Sequence, residues 1–468
     1  MNRSLAQFAR SCGGTLAGAD RGYTGVSTDT RTLKAGELFV ALRGPRFNAN
    51  DFIAAAETAG AAGAVVDTRV ERPLAQIVVQ DTQLALTASA AAWRAQFRMP
   101  IVGVAGSNGK TTVKEMTAAI LGRSGNTLAT RGNLNNHIGV PLTLHRLDDS
   151  QRYAVVEIGA NRAGEVADLV KLARPTVGLI TNAGAEHLEG FGSLEGVARA
   201  EGEMVAGLDP AATAVINADD EFAALWRDMA RGRVTTFGVA KPADFSASDI
   251  HTTIDGTGFV TRFKLQAPQG VMPVELHLAG THNVLNALCA AAAATAAGAS
   301  LDDVRVGLAT MRPVPGRLQF KTAPSGAWIV DDSYNANPSS MKAGIEVLAG
   351  VDARRWLVMG DMGELGTFAD ASHGEIGRYA RNHRIDRLFA TGPLSQLAVE
   401  AFGSGAEWFS DTDALARAVN AELTREVCVL VKGSRMNRLE RVVEALVGQG
   451  SSQGISNSSS GSSSQSAH

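Results

Sequence analysis

A short apolar run, Ile101-Val102-Gly103-Val104-Ala105, stops at Gly106-Ser107-Asn108-Gly109-Lys110-Thr111-Thr112, and a helix-forming segment over 113–121 follows. Strand, glycine turn, Lys-Thr and helix in that order describe a corner of an α/β sheet built around an anion. Gly106 and Gly109 let backbone N–H groups turn inward, and the helix N-terminus adds partial positive charge. Lys110 adds a full charge, and the Thr111 hydroxyl suits Mg²⁺. The common form of the motif has a glycine where Val104 stands, so this loop is a shortened one. The reading is a nucleoside triphosphate site formed by residues 106–112. A glycine-rich turn that holds no ligand is the alternative.

That corner constrains its neighbours. Residues 154–159, 177–182 and 214–217 are apolar runs ending in polar residues, separated by helical patterns. They imply a parallel sheet covered on both faces, with ligands at the carboxyl ends of the strands. Glu157, Asn182 and His187 lie at or just past such ends and should face the loop's crevice. Over 245–278 the helical pattern lapses into extended segments, which predicts a small antiparallel insert, and an alanine-rich helix over 287–297 follows. Upstream, residues 1–80 read as a small α/β domain, with strands over 37–42, 64–66 and 76–79 and a helix over 54–59. A connecting helix over 84–97 leads into the loop strand. The polar feature of the N-terminal domain, Ser27-Thr28-Asp29-Thr30-Arg31, would bind a sugar or diphosphate through a bidentate guanidinium, or is a capped turn with a surface ion pair.

Arg312-Pro313-Val314-Pro315-Gly316-Arg317 stops both helix and sheet. Beyond it, apolar runs over 327–331, 356–360, 388–391 and 427–431 mark a third α/β unit. The expected domains are therefore 1–80, 81–312 and 313–447, with 448–468, almost wholly Ser, Gly, Gln and Asn, as a disordered tail. A chain of 468 residues has room for two to four such domains. Its net charge of -3 and lack of a basic cluster argue against a nucleic-acid partner. Cys12, Cys289 and Cys428 are odd in number and lack metal-ligand spacing, as expected of core residues in a reducing compartment. Without a signal peptide or membrane span, the chain is expected to be soluble, cytoplasmic and monomeric.

A bound triphosphate brings a divalent cation. Thr111, Glu157 and His187 offer a hydroxyl, a carboxylate and an imidazole from successive strand ends. Singly, Glu157 could be an N-cap and His187 an ordinary loop residue. Asp331-Asp332-Ser333-Tyr334-Asn335-Ala336-Asn337-Pro338 follows a buried strand and is over-equipped for a plain loop, which suggests a lid. Arg317 is expected to reach a transferring phosphoryl group.

These stretches resemble the Mur ligases, the ATP-dependent amide-forming enzymes of peptidoglycan synthesis, and the resemblance covers the chain to about residue 447. It rests on residues 106–112, on His282-Asn283-Val284-Leu285-Asn286, on 331–338, on Gly360-Asp361-Met362-Gly363-Glu364-Leu365-Gly366 and on Lys432-Gly433-Ser434-Arg435. The last three are similar to the member of the family whose acceptor is D-alanyl-D-alanine. The resemblance implies a three-domain α/β architecture with a central P-loop parallel-sheet domain and a Rossmann-like C-terminal domain. It implies ATP and Mg²⁺ as cofactors, and UDP-N-acetylmuramoyl-tripeptide and D-Ala-D-Ala as small-molecule partners.

By the same resemblance, Lys110, Arg317, His187 and Glu201 are catalytic. Residues 106–112, His282, Asn283, Asn286, Arg317 and Asp332 bind ATP. Ser27, Asp29 and Arg31 hold the UDP end, and Tyr334, Asn335 and Asn337 meet the dipeptide. The implied reaction phosphorylates the tripeptide carboxylate and passes the acyl group to the dipeptide amine. One position departs from the family pattern: Glu201 stands where many Mur ligases carry a carbamylated lysine, and its carboxylate is expected to replace the carbamate. A solvent-facing helix glutamate is the alternative there. Other readings are the ligase adding the third residue, a folylpolyglutamate synthase, an ATP-driven switch, and a binding module that has lost its chemistry.

Overall fold

The computed structural model describes residues 3–44, 47–184, 188–255 and 258–448. It falls into two compact units, one formed by residues up to Arg312 and the other from Pro313 on, apart from Glu364–Gly366, which group with the first.

The first unit is organised on a six-stranded sheet. Across it run Arg233–Phe237, Thr213–Asn217, Val177–Ile180, Ile101–Ala105, Tyr153–Glu157 and Thr127–Ala129, every neighbouring pair parallel. Ile101–Ala105 is buried along its whole length, as expected of a strand covered on both faces. The chain leaves it for the far side of Tyr153–Glu157 and later returns to its other flank, so its carboxyl end lies where strand order reverses. That is where open α/β sheets bind ligands. The helix Lys110–Ser124 packs over the sheet against Thr281–Ala296. In that second helix Ala287, Ala290, Ala291, Ala293 and Ala294 are fully buried, since small side chains permit a close approach. Ser246–Asp255, Gly258–Ala267 and Gly270–Leu276 form the antiparallel insert.

The N-terminal sheet runs Thr15–Ala17, Gln76–Val78, Gly63–Val66, Leu38–Val40 and Val26–Ser27. A helix that sequence periodicity did not reveal, Leu5–Cys12, carries Phe8 into the junction with the central sheet. There the Arg3 guanidinium donates to the carbonyls of His145 and Leu147 at 2.6 and 2.9 Å and lies 4.0 Å over the Trp93 ring. His145, 2% exposed, stacks on Phe8 at 5.9 Å. Burial first, and the Arg3 charge second, hold its imidazole down at about 3, so it is neutral. Its Nε2 is 3.0 Å from the Ser89 hydroxyl, which itself donates to Leu86 O. The imidazole therefore donates there through Nε2–H, and Nδ1 stays a bare acceptor.

The second unit holds a six-stranded sheet in the order Gln319–Thr322, Trp328–Asp332, Val427–Lys432, Arg354–Gly360, Arg387–Thr391 and Ala406–Phe409. Gln319–Thr322 pairs antiparallel at the edge and the other pairs are parallel. Cys289 and Cys428 are buried in the two cores, whereas Cys12 is only half-buried, its helix lying at the N-terminal surface. Gly448 caps the last helix, Glu440–Val447, with a positive φ of 78°. The rest of the expected tail, 449–468, lies outside the described residues. Among the described residues no helix is long and apolar enough to cross a membrane.

Candidate active site

The phosphate loop leaves the central strand at Gly106, φ 121°, and enters the helix Lys110–Ser124 through Gly109, φ 82°. Both are backbone conformations that L side chains rarely adopt. A Cβ at Gly106 would lie 2.1 Å from Thr181 Oγ1, and one at Gly109 2.4 Å from Asn286 Oδ1. The loop is held from three sides. Thr181 Oγ1 and Asn182 Nδ2 donate to Asn108 O at 2.7 and 3.0 Å, and Asn108 N–H donates to Asn182 Oδ1 at 3.0 Å. Gly184 N–H donates to the Ser107 hydroxyl at 2.8 Å. Lys110 folds back along the loop, its ammonium donating to Gly106 O and Ser107 O at 2.5 and 3.0 Å. Thr112 is buried at the start of the helix.

Glu201 is not a solvent-facing glutamate. It is 5% exposed, on the helix Leu194–Ala206, and its Oε2 accepts the Gly106 N–H at 2.7 Å. A carboxylate thus enters the phosphate loop from beneath, bonded to the backbone of its first glycine.

Glu157 ends the neighbouring strand and is 2% exposed. Its Oε1 accepts from Thr111 Oγ1 at 3.3 Å and Asn135 Nδ2 at 3.0 Å. Its Oε2 is buried and has no hydrogen-bond partner. A buried carboxylate oxygen without a donor is costly unless something positive takes it. With the Thr111 hydroxyl alongside, this donor set is hard oxygen and fits Mg²⁺. Among the described residues no three His, Cys, Asp or Glu side chains converge. His187, the third expected ligand, lies outside the described residues. Asn135, and the fully buried Lys114 whose ammonium sits 3.8 Å from Glu157 Oε2, were missed by sequence reasoning. Neither belongs to the loop motif.

His282, Asn283 and Asn286 open the helix Thr281–Ala296 beside Gly109. Asn283 Nδ2 donates to Ala279 O at 2.7 Å and lies 3.2 Å from His282 Nε2, and Asn286 Nδ2 donates to Asn283 Oδ1 at 3.1 Å. In the N-terminal sheet Asp29 and Arg31 grip each other at 2.6 to 3.1 Å while largely exposed, and the guanidinium holds the Asp29 carboxyl down at about 2. Asp29 N–H donates to Ser27 Oγ at 3.3 Å. Their mutual bonds are those of a turn carrying a surface ion pair.

In the second unit, a polar cluster sits at the carboxyl ends of Trp328–Asp332, Arg354–Gly360 and Val427–Lys432. Lys432, 3% exposed, pairs with Asp332 at 2.7 Å and donates to Asn335 O at 2.9 Å. Asp332 Oδ1 also accepts from Leu318 N–H at 3.1 Å. Arg317 lies 4.7 Å over the Tyr334 ring. Asn337 caps the helix Pro338–Ala349, its Oδ1 accepting from Ser340 N–H at 2.9 Å. Ser434 ties two loops together, accepting from Gly363 N–H at 2.7 Å and donating to Ala336 O at 3.2 Å. Lys432 is the residue that sequence reasoning left out of the site, although it ends a strand beside the polar loop.

Two family models match the chain: the Mur ligase middle domain over residues 104–294 and the Mur ligase glutamate ligase domain over 316–435. The chain belongs to the Mur ligase family. An Escherichia coli protein named UDP-N-acetylmuramoyl-tripeptide–D-alanyl-D-alanine ligase is 45% identical, spanning 95% of this chain and 98% of its own length. Among solved structures, MurF from Acinetobacter baumannii superposes with a TM-score of 0.89 at 34% identity, over 96% of this chain and 99% of that one. MurF from Thermotoga maritima, solved in complex with ADP, gives 0.79 at 26% identity over 90% and 96%.

Proposed function

We propose that this Mur ligase joins D-alanyl-D-alanine to UDP-N-acetylmuramoyl-tripeptide, forming a C–N bond in peptidoglycan synthesis and releasing ADP and phosphate. The observation that carries the reading is a Lys-Thr phosphate loop facing a buried carboxylate with one oxygen to spare, in a chain nearly half identical along its length to a ligase of that name. The tripeptide carboxylate attacks the γ-phosphate of ATP in line, giving an acyl phosphate. The dipeptide amine then attacks that carbonyl and phosphate leaves. A carboxylate oxygen is a poor leaving group, and phosphorylation makes it a good one.

The chain's own part is positioning and electrostatics. Residues 106–112 cradle the phosphates, with Lys110 turning from the loop carbonyls to the β and γ oxygens. His282, Asn283 and Asn286 flank the nucleotide. Thr111 and Glu157, with His187, are the residues that would hold Mg²⁺. The ion supplies charge neutralisation at the phosphates. Arg317 neutralises the transferring group, and Asp332 orients the nucleotide side of the second unit. Ser27, Asp29 and Arg31 receive the UDP end, and Tyr334, Asn335 and Asn337 the dipeptide. The Asn337 Oδ1 already serves the helix cap. Residues 1–80, 81–312 and 313–447 are the corresponding domains. Glu201 stands in for a carbamylated lysine, so omission of bicarbonate should leave turnover unchanged, and rescue by added bicarbonate would count against this role.

The test is phosphate release with ATP, Mg²⁺ and UDP-linked tripeptide, comparing D-Ala-D-Ala with free amino acids as acceptor. Turnover should need both the carboxylate substrate and the dipeptide. Steady ATP hydrolysis without them would point to a nucleotide-driven switch, and turnover with a free amino acid to another ligase of the family.

A further inference from the structure

Lys114 is a lysine with no exposed surface, one helical turn beyond Lys110. Its ammonium donates to Thr130 O at 2.9 Å and lies 2.9 Å from Glu115 Oε1 and 3.8 Å from Glu157 Oε2. The Thr130 hydroxyl in turn accepts the Glu157 N–H at 3.0 Å. One residue therefore anchors both the ammonium and the carboxylate, and their separation is set by backbone rather than by two flexible side chains. At 3.8 Å the ammonium is too far to hydrogen-bond Oε2 and near enough to act on whatever does. Glu115, 43% exposed, meets the ammonium from the solvent side, whereas Glu157 and Lys114 are buried.

We infer that Lys114 is a positioning residue that keeps the Glu157 seat from holding a divalent cation until nucleotide phosphates arrive. A fixed positive charge beside a buried seat repels a divalent ion, and the seat itself sets only the Glu157 carboxylate against it. Triphosphate oxygens bring several negative charges and reverse the balance, so the cation enters with the nucleotide. Without a cation, the same ammonium compensates the Glu157 charge and keeps the empty seat in place. This rests on the proposed role of Glu157 in metal binding.

Calorimetric titration with Mn²⁺ alone, and with Mn²⁺ plus ADP, tests it on the intact chain. Lys114→Met should bind Mn²⁺ alone about tenfold more tightly than the wild type or better, and should narrow the gap between the two conditions. Lys114→Gln, which keeps a donor for Thr130 O, should shift the same way, and Lys114→Arg should behave like the wild type. Unchanged or weaker Mn²⁺ binding in a folded Met or Gln variant overturns the inference. Glu157→Gln is the control for the underlying reading: it should lose Mn²⁺ binding in both conditions. Wild-type binding in that variant would remove the metal seat itself, and the role of Lys114 with it.

Discussion

At Gly109 the backbone stands at φ 82°, and the Asn286 amide oxygen lies 2.4 Å from the point a methyl carbon would occupy. Gly109→Ala must either push the loop off the helix Thr281–Ala296 or twist the first turn of Lys110–Ser124. Because the loop's N–H groups must be aimed before phosphate arrives, kcat/KM for ATP should fall about 100-fold or more, with a stability loss of roughly 1–3 kcal/mol. Steady-state kinetics beside urea unfolding separates the two effects. Gly122 in the same helix is the control: it is exposed, and a Cβ there would meet nothing within 4 Å. Gly122→Ala should stabilise by about 0.5–1 kcal/mol and leave turnover alone. At this scale the sequence was readable where chemistry is local. Lys110 and Thr111 announce themselves through the loop, and Glu157 through its strand end. Lys114 did not, since a lysine in a helix reads as solvated until tertiary packing seals it.

Helices and strands carry a different kind of test. The helices Leu5–Cys12, Thr82–Arg94 and Gly139–Leu144 close around neutral His145, whose folded value lies near 3 against 6.5 when exposed. Below pH 6.5 the unfolded chain takes up a proton that the folded chain refuses. Stability from this group is therefore present above pH 6.5 and lost as pH falls toward 3. Between about pH 7 and pH 5 the first unit should lose about 2 kcal/mol, measured by urea unfolding, and His145→Leu should flatten that slope. In the second unit, the strands Trp328–Asp332 and Val427–Lys432 are joined at their ends by the Lys432–Asp332 pair. Lys432→Met strands a buried carboxylate, and calorimetry should show this unit destabilised by roughly 3–5 kcal/mol. Strands buried along their length were legible from apolar runs. Thr15–Ala17, Val26–Ser27 and Thr127–Ala129 were not, because two or three residues hold no measurable period. The half-buried edge strand Gln319–Thr322 escaped for a related reason: a run with one wet side and an antiparallel partner lacks the continuous apolar signature of its neighbours.

For the molecule as a whole, the proline-rich stretch at 313–316 coincides with the point where one compact unit gives way to the next. A break in backbone conformation is visible in sequence because Pro and Gly act locally. The division of labour proposed above makes the break testable. Lys110, Thr111, Glu157 and Glu201 lie before it, and Arg317, Tyr334, Asn335 and Lys432 after it. A chain ending at Arg312 keeps a complete sheet, phosphate loop and core, so it should fold and hold ADP with Mg²⁺. Lacking the cation assigned to the transferring phosphoryl group and the residues assigned to the dipeptide, it should release no phosphate above background. Adding residues 313–448 as a separate chain should restore turnover only weakly, since the effective concentration that a covalent link supplies is of millimolar order and is lost on cutting. Full activity from the first unit alone would move the chemistry entirely to the phosphate-loop side and remove Arg317 from the reaction.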